Sequence, residues 1–180
     1  PFDQERNIHF VDGAGFNRAV YGTNFLRTMK VRAQEQLDKF CDGDVCTTEF
    51  DYEMGMKATT IAEFENAFIA KVYGFADNVD YYQQTSCIYF LDGIAVPTLV
   101  VNAADDPFFD PDFFPWDKGC DFRGGDDTLP IKLVQTENGG HLGYMFHQPD
   151  GDKIVGDVGM KSSWMPTELA RFVRHIHDCE

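Results

Sequence analysis

Two short segments of the chain carry residue types and spacing typical of acid–base chemistry. Adjacent carboxylates, Asp105 and Asp106, follow an apolar stretch and precede Pro107. His141 lies further along the chain, within the glycine-rich turn of residues 139–143. Because glycine permits sharp turns without crowding, this turn can hold an imidazole next to another loop. A carboxylate that orients a histidine, which then takes a proton from a nucleophile, is the chemistry that these residues predict.

Each segment alone is also compatible with a plain structural role. An Asp-Asp-Pro run is common in turns, and a histidine between glycines is common in loops. A Ca²⁺ site is a further alternative, because aspartates supply oxygen ligands, although these aspartates lack EF-hand spacing. The aspartates concerned are Asp105, Asp106, Asp110 and Asp112. The five cysteines lack the paired spacing of a zinc site, so we expect neither a metal nor a cofactor.

Both segments follow stretches that the sequence predicts to be β-strands. Residues 97–102 and 131–136 are short, rich in β-branched residues and bounded by chain breakers. The first is apolar enough to be buried on both faces of a sheet. Since parallel strands end at the same edge, the loops after them would bring the carboxylates and His141 together. With helices before and after the strands, the order of elements indicates an α/β fold.

Apolar residues at three- and four-residue steps predict helices around these strands. The predicted helices cover residues 16–40, 60–73 and 78–91, and a final segment that begins near Pro166. Their apolar stripes include Phe25 and Ala33 in the first, Val72 and Tyr73 in the second, and Leu169 and Val173 in the last. Thr60 and Glu63 have the spacing of a capping box, and Asp77 can cap the third helix.

Composition and charge limit the kinds of protein that this chain can be. Of its 180 residues, 43% are hydrophobic and 14% aromatic, which is enough apolar material for a folded core. Asp and Glu number 30 against 15 Lys and Arg, and the net charge of −15 would repel nucleic acids and anionic lipid surfaces. No apolar run reaches the roughly 20 residues of a membrane-spanning helix, so we expect no span.

Two features of the sequence leave alternatives open. The cysteines are scattered and odd in number, as reduced thiols are, but Cys41 and Cys46 flank a Gly-Asp turn and could form a disulfide in an oxidising compartment. The cellular location therefore stays open. The stretch after the acidic pair is aromatic, which favours ordinary packing but also allows an acyl-binding wall or a partner surface. Its aromatic residues are Phe108, Phe109, Phe113, Phe114 and Trp116.

The residues around both segments resemble those of one protein family. The matching residues are Tyr81-Tyr82, Ser86, Ile94, Val96-Pro97-Thr98-Leu99, residues 102–108 and 139–144, and Ser162-Ser163-Trp164. Over roughly residues 60–178, the chain resembles an α/β-hydrolase subfamily that includes embryogenesis-associated hydrolases, α/β-hydrolase-domain proteins of the first to third type and medium-chain acyl-ester synthases. The resemblance implies the C-terminal portion of an α/β-hydrolase fold, with its last two parallel strands, cap-like helices and final helix. The sheet would be incomplete in this chain.

The resemblance also implies roles for individual residues. The family pattern places the triad acid directly before a Pro-apolar pair, which makes Asp106 the acid, Asp105 the fallback and His141 the base. Residues 1–95 would form a cap-like helical region and the lead-in to the sheet, and residues 96–180 would form the α/β part with both loops. Members of the family act on acyl esters and lipids, so the implied substrate is an acyl ester.

The nucleophile of such a triad is missing from this sequence. In this fold it is the serine of a G-x-S-x-G elbow upstream of the acid and the base, whereas Ser86, Ser162 and Ser163 lack the elbow's glycines. Two parallel strands also make no stable sheet without neighbours. The chain begins at Pro1 rather than Met, so we expect a missing N-terminal half or a second polypeptide to supply the rest. The alternative is a non-catalytic α/β-hydrolase-like accessory subunit of a larger assembly.

Overall fold

The computed structural model describes residues 2–40, 52–120, 130–142, 144 and 164–179. The sequence candidates Cys41, Cys46, Ser162 and Ser163 lie outside these ranges. The chain divides into two compact units: a helical unit, Pro1–Tyr89 with Phe108–Asp110, and a sheet unit, Phe90–Pro107 with Pro111–Glu180. Among the described residues, we find no helix that is both long enough and apolar enough to cross a membrane.

The helical unit is built from α-helices, two of which contain or follow π-helical turns. Its helices are α1 (Gln4–Asp12), α2 (Thr23–Phe40), α3 (Tyr52–Lys57), α4 (Ile61–Phe64, the π-helical stretch Glu65–Ile69, and Ala70–Val72) and α5 (Asn78–Thr85). A π-helical turn, Arg18–Gly22, leads directly into α2. Sequence periodicity missed α1 and α3, which are short or weakly amphipathic.

The predicted helix over residues 16–40 is confirmed by α2 and the turn before it, but part of its predicted apolar stripe is wrong. Leu26 and Ala33 are buried, whereas Phe25 is 42% exposed. Phe25 packs instead against the ring of Phe108, with 5.1 Å between the ring centroids. The core cluster of this unit consists of Leu26, Ala33, Ala58, Phe64 and Phe68. Tertiary contacts with α4 therefore set the buried face of α2.

The start of α4 confirms the predicted capping box. Thr60 Oγ1 accepts a hydrogen bond from Glu63 N at 3.1 Å, and Glu63 Oε2 accepts one from Thr60 N at 3.3 Å. The Asp12 carboxylate caps the same turn, because it accepts hydrogen bonds from Ile61 N at 2.9 Å and from Ala62 N at 3.0 Å. The first turn of α4 therefore has partners for the backbone N–H groups that a helix leaves unpaired.

The end of α4 differs from the prediction. Val72 and Tyr73, which the sequence assigns to the buried stripe, are 45% and 70% exposed. The π-helical stretch Glu65–Ile69 explains the difference, since its wider turns change the angular position of every later residue around the helix axis. An apolar stripe that assumes α-helical spacing throughout therefore loses its phase in this segment.

The predicted helix over residues 78–91 is too long. Its start is confirmed, because Asp77 Oδ1 accepts a hydrogen bond from Asp80 N at 2.8 Å. The helix ends immediately before Ser86, which is buried and extended in backbone conformation. The Ser86 hydroxyl accepts a hydrogen bond from Gln4 N at 2.9 Å. A tertiary contact with the start of α1 thus accompanies the early end of α5, which local periodicity did not reveal.

A buried carboxylate connects α4 with α5. Glu65 is 7% exposed, and its Oε2 accepts a hydrogen bond from the Tyr82 hydroxyl at 2.5 Å. Burial raises the pKa of Glu65 to about 7; the Tyr82 hydroxyl partly offsets this rise, and the Asp12 carboxylate adds to it. The folded helical unit therefore favours a protonated Glu65 in mildly acidic solution.

This buried group predicts that the helical unit is more stable in mildly acidic than in alkaline solution. The pKa of Glu65 is about 7 in the folded chain and about 4.3 in an unfolded peptide. Its contribution to the free energy of unfolding is therefore fully present below about pH 4.3 and is lost as the pH rises through 7. We expect the free energy of unfolding to fall by roughly 3 kcal/mol between about pH 4.5 and pH 8. Urea denaturation followed by circular dichroism at each pH measures this change.

The Glu65→Gln variant should lose most of this pH dependence, because an amide does not titrate. Glu53→Gln is the matched control, since it removes an exposed carboxylate of the same unit and should leave the pH dependence in place. If Glu65→Gln kept the full pH dependence of the parent chain, the assignment to Glu65 would be wrong.

The sheet unit contains two parallel strands, β1 (Thr98–Ala103) and β2 (Ile131–Thr136). Both predicted strands are confirmed to within one residue. The prediction that the first is buried on both faces is wrong, because its first four residues are only half-buried. Among the described residues, β1 pairs with β2 on one side alone, so its other edge has no neighbouring strand.

The predicted final helix is confirmed as α6 (Trp164–Cys179). Phe172 and Ile176 line a groove of about 560 Å³ between α6 and the sheet. The sheet residues of this groove include Leu99, Val101 and Val134. Leu169 and Val173, which the sequence predicts to be buried, are 41% and 65% exposed. The apolar surface of α6 is therefore wider than the part that faces β1 and β2.

Candidate active site

The register of the two strands brings the acidic loop and the histidine loop to one edge of the sheet. Ala103, the last residue of β1, lies opposite Thr136, the last residue of β2. The pairing continues one step further, since Ala104 N donates to Thr136 O at 2.8 Å. A tight turn follows, in which Asp106 N donates to Ala103 O at 3.2 Å. Both loops thus begin at the same place, and their short connections keep them there.

His141 and Asp106 are in direct contact at this edge. The distance between His141 Nδ1 and Asp106 Oδ2 is 2.9 Å. Because an ionised carboxylate only accepts hydrogen bonds, Nδ1 is the donor and carries the imidazole proton. The Asp106 side chain is 8% exposed, whereas that of His141 is 51% exposed. A sheltered carboxylate therefore orients an accessible histidine.

The neighbouring carboxylate has a different partner. Asp105 Oδ1 accepts a hydrogen bond from Gly140 N at 2.8 Å, which ties the acidic loop to the turn that carries His141. The structure thus places Asp106 against the imidazole and Asp105 against the backbone. The roles of Asp106 as triad acid and His141 as base stay predictions, now with a geometry that suits them.

The histidine turn is held by close packing at Gly139 and by a left-handed backbone conformation at Gly140. A Cβ atom on Gly139 would lie 2.8 Å from a ring carbon of Tyr144 and 2.9 Å from the Cβ of Ala103. Gly140 has a φ of 59°, in the left-handed region that favours glycine. Tyr144 has a φ of 40°, and its N–H donates to Gly139 O at 2.9 Å. The turn therefore has little freedom to place His141 elsewhere.

Sequence reasoning did not single out Tyr144, although it ends the matching motif. Tyr144 is 3% exposed. Burial raises the pKa of its hydroxyl, and the nearby negative charges of Asp106 and Asp105 raise it further. The ring is therefore a neutral packing element beneath the turn. The sequence signal that could have identified Tyr144 is its position, since it is an aromatic residue three positions after a histidine in a glycine-rich turn.

Asn102 is a second residue of this edge whose position the sequence did not reveal. It is 8% exposed, and its Oδ1 atom is buried without a hydrogen-bond partner among the described residues. An unpaired buried amide oxygen costs on the order of 1–3 kcal/mol, so such atoms are uncommon in folded proteins. A donor from outside the described residues would therefore be stabilising at this point.

The four aspartates of the calcium alternative do not form one cluster. Asp110 belongs to the helical unit, where its carboxylate pairs with Arg6 at 2.5 Å. Asp105 and Asp106 have the partners described above. Within the described ranges, no group of three or more His, Cys, Asp or Glu residues is arranged to hold a metal ion.

The aromatic stretch after the acidic pair is divided between the two units. Phe108 packs in the helical unit, with its ring centroid 4.9 Å from that of Tyr21. Phe114 is buried in the sheet unit, with its ring centroid 4.5 Å from that of Trp116. Much of this stretch therefore serves packing, whereas Phe108 is only half-buried.

Known proteins similar to this chain are esterases and lipases. The chain is 32% identical over 133 residues to YheT of Escherichia coli K12, a protein provisionally named as an esterase; the match covers 73% of this chain and 35% of YheT. It is 34% identical over 139 residues to an abhydrolase domain-containing protein of Dictyostelium discoideum, with coverage of 77% and 31%. The chain is homologous to the α/β-hydrolases. Its strands and helices form part of an α/β-hydrolase fold.

A further relative of this α/β-hydrolase homologue spans nearly all of its length. The Saccharomyces cerevisiae protein named monoacylglycerol lipase is 25% identical over 182 residues, which cover 99% of this chain and 35% of the lipase. The chain thus spans about a third of the length of these relatives. No protein-family model matches it. No solved structure matches it significantly.

The packing around Gly139 predicts that Gly139→Ala destabilises the histidine turn of this hydrolase homologue. The new methyl group would overlap Tyr144 and Ala103, and overpacking of this kind costs about 1–3 kcal/mol. We expect a lower melting temperature and a changed NMR environment of the His141 ring. Gly93→Ala is the matched control, because a Cβ there would meet nothing within 4 Å. Equal melting temperatures for the two variants would contradict the close packing.

Proposed function

We propose that this chain is the C-terminal part of a serine hydrolase that acts on acyl esters of the lipid type. In this proposal Asp106 orients His141, and His141 takes the proton of a serine that belongs to a segment outside the chain. The observation that carries the proposal is the hydrogen bond of 2.9 Å between His141 Nδ1 and Asp106 Oδ2.

This hydrogen bond supports a defined sequence of proton transfers. With its proton on Nδ1, the imidazole accepts a second proton at Nε2. The serine Oγ would transfer its proton there while it attacks the ester carbonyl carbon, and the Asp106 carboxylate would stabilise the resulting imidazolium. His141 would then give the proton to the leaving alcohol as the ester C–O bond breaks and an acyl-enzyme forms. Water would repeat the sequence and release the fatty acid.

Three features of the sheet unit support a completing segment. Among the described residues, β1 has a free edge and Asn102 has a buried oxygen without a hydrogen-bond partner. On α6, the apolar side chains Leu169 and Val173 are exposed. All three features would be more stable in contact with a further strand, a hydrogen-bond donor or an apolar surface, respectively. The chain also spans only about a third of its relatives, and no G-x-S-x-G elbow occurs in it. We therefore assign the nucleophile and the oxyanion-binding groups to that segment.

An acyl ester of the lipid type is the substrate class that the names of several relatives indicate. Besides the yeast monoacylglycerol lipase, a mouse relative that is 31% identical over 97 residues is named phospholipase ABHD3; the match covers 54% of this chain and 22% of that protein. These two names support a lipid ester as the substrate class of the complete protein.

The proposal predicts large losses of activity in the protein that contains both this chain and the completing segment. We expect His141→Ala to lower kcat for a short-chain p-nitrophenyl ester by about 10⁴-fold, and Asp106→Asn by about 10³- to 10⁴-fold, because the base or its correct tautomer is lost. Asp105→Asn should have a smaller effect, since Asp105 contacts the backbone. Steady-state kinetics and labelling by a fluorophosphonate probe measure these losses.

His9→Ala is the matched control, because it removes an exposed histidine of the helical unit and should leave kcat within twofold. Parental labelling and kcat in His141→Ala would refute the assignment of the base. If the parent protein is folded but shows neither labelling nor ester hydrolysis, the accessory-subunit alternative is the better explanation.

A further inference from the structure

The histidine turn contains a residue in a backbone conformation that its side chain disfavours. Tyr144 has a φ of 40°, and it is the only non-glycine residue with a positive φ in the part of the chain that the structure describes. In this left-handed region the Cβ atom crowds the following carbonyl oxygen, so an aromatic residue adopts it at a cost in free energy. Such a conformation persists only where the surrounding structure determines it, and residues of this kind cluster at functional sites. Tyr144 follows His141, the proposed base, by three positions.

The side chain of Tyr144 makes the contacts that can hold this conformation. The residue is buried, and two of its ring carbons, Cδ1 and Cε1, lie 2.8 Å from the point where a Cβ on Gly139 would be. The Cβ of Ala103 lies 2.9 Å from the same point. The edge of the ring is therefore packed where the histidine turn passes Ala103, the last residue of β1.

The backbone of Tyr144 closes a loop around His141. Its N–H donates to Gly139 O at 2.9 Å, so one hydrogen bond joins the two ends of residues 139–144. His141 belongs to this loop, and its Nδ1 lies 2.9 Å from Asp106 Oδ2. Because packing of the buried ring fixes Tyr144 in place, a return of its φ to negative values would require the loop itself to move. The ring and the closing hydrogen bond thus restrict the loop together.

The other described side chains of the turn give it no comparable anchor. Among residues 139–142 and 144, the only buried side chain is that of Tyr144. Leu142, which directly follows His141, is 79% exposed. Since burial of apolar surface is what holds such a turn against the rest of the protein, the Tyr144 ring provides most of this stabilisation.

The hydroxyl group of Tyr144 is unsuited to a direct part in a proton transfer. Burial raises the pKa of this hydroxyl, and the negative charges of Asp106 and Asp105 raise it further, so the group keeps its proton. A buried ring also has little surface with which to contact a substrate. Any effect of Tyr144 on a reaction would therefore act through the residues that it packs against.

We propose that Tyr144 is a positioning residue, whose buried ring holds the turn in the conformation in which His141 Nδ1 meets Asp106. This inference rests on the proposed function, in which His141 is the base. A displacement of about 1 Å within a catalytic arrangement can lower the rate by about 10²-fold. Because the position of the base matters in the transition state and little for substrate binding, kcat should fall while KM changes little.

Variants of Tyr144, in the protein that contains this chain and the completing segment, test the proposal. For a short-chain p-nitrophenyl ester we expect Tyr144→Gly to lower kcat by about 10²-fold and Tyr144→Leu by at least about tenfold, with KM within about threefold of the parent value. Tyr144→Phe keeps the ring and should retain kcat within about threefold. Glycine adopts a positive φ without steric cost, so Tyr144→Gly separates the effect of the ring from that of the backbone conformation.

The NMR signal of the His141 Nδ1–H proton gives a second readout, which does not require activity. A charge-assisted hydrogen bond to a carboxylate moves this signal downfield and slows the exchange of the proton with water. We expect the signal in the parent protein and in Tyr144→Phe, and its loss in Tyr144→Gly and Tyr144→Leu. Phe114→Leu is the matched control, because it alters another buried aromatic residue of the sheet unit, which packs against Trp116. It should lower the melting temperature but keep the signal, with kcat within about threefold.

Circular dichroism checks that every variant is folded. Parental kcat and a parental Nδ1–H signal in Tyr144→Gly and Tyr144→Leu would overturn the proposal. Losses in Tyr144→Phe or Phe114→Leu as large as those in Tyr144→Leu would overturn it too, since the effect would then not depend on the ring at this position. A folded parent protein without ester hydrolysis would refute the proposed function alone, because the Nδ1–H signal still tests whether Tyr144 positions His141.

Discussion

The parallel, in-register pairing of β1 with β2 is the constraint on which the candidate site depends. Because Ala103 lies opposite Thr136, two loops that are far apart in the sequence start from neighbouring backbone positions. One extra hydrogen bond beyond the strands and one tight turn are then enough to bring Asp106 to His141. A shift of the register by one residue would move every later atom of one loop by about 3 Å relative to the other, which is more than the tolerance of a hydrogen bond.

The two adjacent carboxylates that follow β1 hold the histidine in two different ways. A histidine that changes its charge during a reaction needs a nearby negative charge, and it also needs a backbone that does not move. Asp106 can meet the first need and Asp105 the second, since one contacts the ring and the other the N–H of Gly140. The buried Tyr144 completes the arrangement by filling the space under the turn, where water would otherwise weaken both interactions.

Much of this arrangement follows from the sequence alone, and the exceptions share a cause. Strand positions, the capping box at Thr60 and the proximity of the acidic and histidine loops depend on local patterns that periodicity and turn chemistry reveal. The exposure of Phe25 and the end of α5 at Ser86 depend on contacts with residues distant in the sequence, namely Phe108 and Gln4. The unpaired oxygen of Asn102 depends on three-dimensional surroundings that no local pattern encodes.

The π-helical stretch within α4 has a consequence for how this chain can vary in length. A π-helical turn holds one more residue than the α-helical turn that it replaces, so the stretch Glu65–Ile69 is equivalent to an inserted residue inside a continuous helix. Homologous chains that lack this residue could keep the capped start of α4 unchanged while the segment after Ala70 rotates. The sequence at the start of α4, which is buried in the core, can therefore change independently of the sequence at its end, where Val72 and Tyr73 are exposed to solvent.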